Sequence, residues 1–179
     1  MPRIPRSLLP SPAWYHVICR GVEQRAIVLD DLDREAWFKL LLEVEARFGW
    51  KIHVWNLLNN HFHLLVETTQ PQLSLGMQRL NGLYAIRFNR RYDRRGHLFQ
   101  GRFESRVTTD EDYLETLIPY IFDNSTRVGL RGWPWRGRLR SGTCDYACPG
   151  RAFGRRQQTE RATGRRHRRT CSACGCWRR

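Results

Sequence analysis

The sequence lacks any long apolar run. No stretch of 18 consecutive apolar residues occurs in its 179 residues, so we expect no membrane-spanning helix and no membrane partner. The first ten residues are interrupted by prolines and form too short a segment for a secretory signal peptide. We therefore expect a cytoplasmic protein.

Acidic residues are scarce in the last part of the chain. Residues 131–179 contain 14 Arg and 2 acidic residues, whereas residues 1–130 contain 17 Lys and Arg and 15 Asp and Glu. The first region has the charge balance of an ordinary folded domain, and the second resembles a basic arm that attracts polyanions. We place a folded domain at residues 1–135. We expect residues 136–179 to be a disordered basic tail, because they show no apolar periodicity.

Cysteine is also scarce before the tail. Cys19 is the only cysteine of residues 1–130. In the tail, the spacing of Cys171, Cys174 and Cys176 leaves two interpretations open: a zinc site, and free thiols in a reducing compartment.

Residues 1–130 contain alternating strand and helix patterns. Strands are predicted at residues 14–21, 51–57, 62–67 and 97–107. Helices are predicted from Asp30 or Asp31 to Gly49, from Ser74 through Phe88, and from Asp110 to about Arg127. This order predicts an α+β, ferredoxin-like (RRM-like) split β-α-β domain. It would have a four-stranded antiparallel sheet, helices on one face and a C-terminal catalytic helix.

Two histidines open the predicted third strand. His61 and His63 flank Phe62, and alternate residues of a strand project from the same face. Two neighbouring imidazoles provide half of a divalent metal site. A structural role for the pair is the alternative.

Tyr120 and Asn124 form an i,i+4 pair at the edge of the apolar stripe of the third predicted helix. Packing can hold such a tyrosine while its hydroxyl reaches outward, and Asn124 offers an amide oxygen nearby. Two imidazoles and one amide oxygen would bind Mg²⁺ or Mn²⁺ and leave positions open for water and a phosphate oxygen. We interpret His61, His63 and Asn124 as metal ligands and Tyr120 as a nucleophile toward phosphorus. A core tyrosine and a polar helix-end residue are the alternatives.

Basic and polar side chains on the second helix and the fourth strand could bind phosphates. The residues predicted to contact nucleic acid are Arg79, Arg87, Arg90, Arg91, Gln100, Arg102 and Arg106. For the helical arginines, a solvated helix face is the alternative.

Three segments resemble a known family. Residues 60–67, 76–85 and 96–103 are similar to those of the REP-associated tyrosine transposases, the single-tyrosine HUH transposase-like proteins of bacteria. The resemblance implies that His61 and His63 are the HUH ligands, that Tyr120 is the nucleophile, and that Asn124 stands where the family has its third ligand. It also implies a ferredoxin-like domain that cuts and rejoins single-stranded DNA at imperfect palindromes folded as hairpins.

The chain departs from the family pattern just beyond Asn124. Ser125 stands where the family usually has proline, which changes the end of the helix. Two functions compete, and a third, a metal hydrolase of a small substrate, is disfavoured by the basic charge balance. The first is a metal-dependent transposase that cleaves and rejoins hairpin DNA through a 5′-phosphotyrosine intermediate. The second is a domesticated or decayed, non-catalytic protein that binds single-stranded DNA or RNA. A homodimer and a monomer both remain open.

Overall fold

The computed structural model describes residues 10–108, 110–127, 129, 136–140 and 143–145. The chain divides into the units Met1–Pro149 and Gly150–Arg179, and the second unit lies outside the described residues. The strands are β1 (Ala13–Arg20), β2 (Lys51–Leu57), β3 (His61–Thr68), β4 (Glu104–Thr108), β5 (Arg136–Arg140) and β6 (Thr143–Asp145). The helices are α1 (Asp31–Phe48), α2 (Leu73–Arg91) and α3 (Glu111–Arg127).

The sheet is antiparallel, with the strand order β4-β1-β3-β2-β5-β6. Its first four strands are those predicted from the sequence, so the α+β fold with a four-stranded antiparallel sheet is confirmed. Strand β5 pairs with Trp55 and Asn56 of β2, and β6 pairs with β5. Part of the predicted tail therefore adds two short strands to the sheet. The disorder expected for the rest of the tail, and its cysteines apart from Cys144, lie outside the described residues.

Helices α1 and α2 cover one face of the sheet, here named the α1/α2 face. Alternate residues of β1, among them Tyr15 and Val17, join Trp37 of α1 and Met77 of α2 in the larger of the two hydrophobic clusters. Strands can supply this face because every second side chain points toward it.

Helix α3 covers the opposite face, here named the α3 face. The apolar cluster there is small: Val54 and Leu65 of the sheet meet Leu114, Leu117 and Ile121 of the helix, and the partly buried Trp14 of β1 packs against them. Polar side chains, including His16 and His63, share this face with the small cluster and are buried beside it.

Several predicted element ends are confirmed and others are wrong. Asp30 caps α1 by accepting from the backbone N–H of Asp33, and Gly49 ends that helix with a φ of 62°. Ser74 does not cap α2, which begins at Leu73 after Gln72.

The predicted fourth strand is wrong in its first half. The strand begins at Glu104, and residues 97–103 form an irregular loop with an isolated bridge at Phe99. The physical reason is that the consecutive residues Leu98 and Phe99 are both buried in the same core, whereas successive residues of a regular strand face opposite sides.

None of the helices in the described part of the chain combines the length and the apolar character that a membrane crossing requires.

Candidate active site

Strand register places the predicted metal-ligand histidines on the α3 face. His61 and His63 alternate along β3, opposite Arg20 and Ile18 of β1. His16 lies two residues before Ile18 and therefore projects from the same face. The antiparallel pairing of β1 with β3 thus collects three imidazoles beneath α3.

His63 has a partner at each ring nitrogen. Its Nδ1 lies 3.0 Å from Nε2 of His16, and its Nε2 lies 2.7 Å from Nδ2 of Asn124. Rotation of the Asn124 amide about its last bond exchanges the nitrogen and oxygen positions, and the oxygen would then face the same place as Nε2. The structure therefore brings the predicted strand ligand and the predicted helix ligand together.

His61 is oriented by the residue before it. Its Nδ1 lies 2.7 Å from Oδ1 of Asn60, so Nδ1–H is the donor and the lone pair belongs to Nε2. The rings of His61 and His63 have centroids 5.1 Å apart. Metal-binding histidines typically donate their second N–H to an oxygen acceptor in this way.

All three histidines are neutral at pH 7. Burial lowers the pKa of His16 to about 4, with a smaller contribution from the charge of Arg106. Burial also lowers the pKa of His61 to about 4, helped by Arg20. The pKa of His63 falls to about 3, chiefly through burial and then through its two histidine neighbours and Arg20. An imidazole must be neutral to bind a metal, so the protonation state fits that role.

The donor set fits a divalent cation held by His61, His63 and Asn124. Among the described residues, no group of three or more His, Cys, Asp and Glu side chains is arranged to hold a metal ion. The predicted set differs from such groups because its third donor is an amide, a ligand that Mg²⁺ and Mn²⁺ accept.

Tyr120 lies against the same histidines. Its ring centroid is 6.4 Å from those of both His16 and His63, and both contacts are edge-on. Its side chain is 37% exposed, so a strand of DNA can reach it. The structure thus brings together four predicted site residues: His61, His63, Tyr120 and Asn124.

Asn56 fixes the position of α3 above the histidines. Its buried Nδ2 donates to the backbone oxygens of Ile121 and Phe122, at 2.9 and 3.3 Å. These two carbonyls directly follow Tyr120 and precede Asn124 in the helix. The hydrogen bonds therefore hold the segment that carries both predicted catalytic groups against β2.

Sequence analysis missed His16, Arg20 and Asn56. His16 and Arg20 could have been found from the pairing of β1 with β3, because alternate residues of β1 must lie beside His61 and His63. Asn56 is a single polar residue in the otherwise apolar run from Val54 to Leu58, which is a signal for a specific hydrogen bond.

The predicted nucleic-acid contacts occupy three places. Arg106 lies opposite His16 on the edge strand β4 and is exposed. Gln100 and Arg102 are exposed in the 97–103 loop.

The four arginines of α2 lie near α1 and are not brought to the histidines. Arg79 forms an ion pair with Glu43 of α1, and Arg91 pairs with Asp30 and Asp33. Arg87 and Arg90 line a groove of about 590 Å³ between the two helices. Their role in DNA binding stays a prediction.

Two solved structures are among those similar to this chain. A REP-associated tyrosine transposase bound to a REP hairpin is 14% identical, with a TM-score of 0.61 over 76% of this chain and 82% of that chain. A candidate transposase from Deinococcus radiodurans R1 is 17% identical, with a TM-score of 0.45 over 68% of this chain and 95% of that chain. The first likeness supports the ferredoxin-like fold.

Sequence comparison gives the family. No curated protein matches the chain. The family model described as "Transposase IS200 like" matches residues 11–124, which span every residue of the site from His16 to Asn124. The chain belongs to the family of IS200-like transposases.

Proposed function

We propose that this protein cleaves and rejoins single-stranded DNA next to a hairpin, through a covalent bond between Tyr120 and a 5′-phosphate. One observation carries the proposal: Tyr120 and Asn124 of α3 converge on His63, at a ring distance of 6.4 Å and an atomic distance of 2.7 Å respectively. A structural role for the tyrosine alone would not require two histidines and an amide at the same place.

Cleavage and rejoining would use Tyr120 as the nucleophile. Tyr120 attacks phosphorus, its oxygen forms the new bond, and the bond from phosphorus to the 3′ oxygen breaks. The phenolic proton leaves to solvent, and the departing 3′ oxygen gains a proton to become a 3′-OH. Attack by the 3′-OH of another strand end reverses the step and joins that end without ATP.

His61, His63 and Asn124 would hold Mg²⁺ or Mn²⁺. Such an ion supplies positive charge at a phosphate oxygen and so favours attack on phosphorus. His16 supports His63 at 3.0 Å, and Asn60 supports His61 at 2.7 Å. Arg20, beside His61, and Arg106, beside His16, place positive charge at the edge of the same site, where phosphates on either side of the reacting one could bind.

Two observations favour a hairpin as the partner, and a third favours a polyanion in general. The similar REP-associated tyrosine transposase is bound to a REP hairpin, and the sequence motifs resemble that family. The positively charged side chains near the site, together with a net charge of +14, suit a polyanion.

The test is adduct formation by the full-length protein. It is incubated with Mn²⁺ and hairpin oligonucleotides that carry randomised single-stranded flanks and a label at the 3′ end. We expect a labelled protein band on a denaturing gel, lost in Tyr120→Phe and in His63→Ala.

Tyr92→Phe is the matched control for the tyrosine substitution. The Tyr92 hydroxyl donates to Asp33 on the far side of the sheet, so the adduct should persist in this variant. Hairpin binding without any adduct in the wild-type protein would contradict the proposal and favour a non-catalytic DNA-binding protein.

A further inference from the structure

A second feature of the α3 face lies beside Tyr120. A cleft of about 630 Å³ opens between α3 and the edge of the sheet formed by β1 and β4. Its wall on the sheet side includes His16 and Arg106, and its wall on the helix side includes Tyr113, Tyr120 and Asp123. A volume of this size accommodates a single nucleotide.

The cleft gathers the exposed aromatic side chains of the described residues. Among the tyrosine, tryptophan and phenylalanine side chains there, Tyr113 and Tyr120 are the exposed ones, at 42% and 37%. They stand seven residues apart on α3 and both line the cleft, about 10 Å apart along the helix axis. Tyr120 has the role of nucleophile, whereas nothing in the proposed chemistry or in the apolar cluster requires an exposed ring at Tyr113.

The charges in the cleft give a bound nucleotide a direction. Arg106 is exposed on β4, directly opposite His16 in the strand register, and it offers a guanidinium for a phosphate. The phosphate therefore belongs at the sheet wall, and a base is left to meet the helix.

We propose that this cleft is a subsite for one unpaired nucleotide next to the cleaved bond, with its base stacked on Tyr113 and its phosphate at Arg106. Proteins that bind single-stranded DNA commonly stack its bases on aromatic side chains that lie beside basic residues. The proposal rests on the proposed function in one respect: Tyr120 marks the position of the cleaved bond. Tyr113 would then help to select which strand position reaches the nucleophile.

The test uses the fluorescent base 2-aminopurine, which is quenched by stacking. It is placed in turn at each unpaired position that flanks the stem of a hairpin oligonucleotide, and binding of the full-length protein is followed by fluorescence and by anisotropy. We expect quenching at one position beside the cut. In Tyr113→Ala this quenching should disappear, and the affinity should fall about fivefold to a hundredfold, the range for the loss of one stacked base.

Two control variants separate stacking from general effects. Tyr113→Phe keeps the ring and should retain both the quenching and the affinity. Leu75→Ala removes a side chain that is 56% exposed on α2 and should leave both unchanged. Arg106→Gln should weaken binding and reduce the slope of log affinity against log salt by about 0.7, as expected for one phosphate of a single strand.

The outcomes distinguish this proposal from the proposed function. Suppose that the wild-type protein forms the adduct, and that Tyr113→Ala quenches 2-aminopurine and binds the hairpin as strongly as wild type does. The subsite is then refuted and the nuclease stands. If no hairpin gives an adduct but quenching depends on Tyr113, the subsite stands as a binding site for single-stranded DNA and the nuclease is refuted.

Discussion

The two faces of the sheet differ in what they bury. The α1/α2 face buries large apolar side chains, and its most buried members include Trp37, Trp55 and Phe62. The α3 face buries a small apolar cluster together with polar residues such as Asn56 and His63. The same strands supply both faces through alternate residues. We therefore expect substitutions on the α1/α2 face to change mainly stability, and substitutions of the polar residues on the α3 face to change the chemistry as well.

The largest expected effect is on the α1/α2 face. Trp37 is fully buried, and its ring centroid lies 5.0 Å from the ring centroid of Phe62 and 6.0 Å from that of Trp55. Trp37→Ala should lower the free energy of unfolding by about 3–5 kcal/mol, because it leaves a large cavity in the main core. Urea denaturation followed by circular dichroism measures this change. A loss below about 1 kcal/mol would show that this face does not dominate stability.

Asn56 tests how α3 is held on the sheet. Asn56→Asp has nearly the same shape, but it replaces an N–H donor with a carboxylate oxygen facing the carbonyls of Ile121 and Phe122. We expect a loss of about 3 kcal/mol in unfolding free energy, because a buried acceptor then faces acceptors. Adduct formation per folded molecule should fall as well, since α3 loses its anchor. Normal adduct formation in the folded variant would show that Asn56 does not position the helix.

His16 should affect metal binding. His16→Leu removes the partner of His63 Nδ1, now at 3.0 Å, and should weaken Mn²⁺ binding about 10- to 100-fold, the usual cost of losing an orienting partner. Calorimetric titration with Mn²⁺ measures the affinity without any DNA. His16→Gln should recover part of the loss through its side-chain amide. Equal affinity in wild type and both variants would exclude this orienting role.

The smallest expected effect is a pair of opposite changes on α2. A Cβ atom at Gly76 would lie 2.1 Å from the Trp50 ring, so Gly76→Ala should cost about 1–3 kcal/mol through overpacking. Gly82 lies on the same helix with no atom within 4 Å of an added Cβ. Gly82→Ala should therefore stabilise the protein by about 0.5–1 kcal/mol. Thermal denaturation of the two variants compares them, and equal shifts of Tm would contradict the close packing at Gly76.

Local sequence pattern was sufficient for the elements with a strong period and clear ends. The end of α1 at Gly49 and the bounds of β2 are as predicted, and the cap at Asp30 is one of the two predicted positions. The start of α2 has no clear sequence signal, because glutamine is not a typical helix-capping residue. In the structure, Gln72 precedes the helix and makes no side-chain cap hydrogen bond. The sequence pattern predicts a strand over the 97–103 loop because a loop that buries apolar residues in the core has the same composition as a strand.

The candidate site was predicted as far as spacing within single elements allows. The pairs His61 with His63 and Tyr120 with Asn124 follow from strand and helix periods. The roles of His16 and Asn56 depend on which strands are neighbours and on how α3 crosses β2, and these are tertiary contacts. Strand β5 was missed because an arginine-rich segment that pairs with β2 has no apolar alternation.

The most direct test of the account is to identify the residue that becomes attached to DNA. The wild-type protein is allowed to form its adduct with a hairpin oligonucleotide, digested with protease and nuclease, and examined by tandem mass spectrometry. The chain has 6 tyrosines, and the account predicts a nucleotide phosphate on Tyr120 alone. A nucleotide on any other residue would contradict the convergence of α3 and the histidines as the site of chemistry.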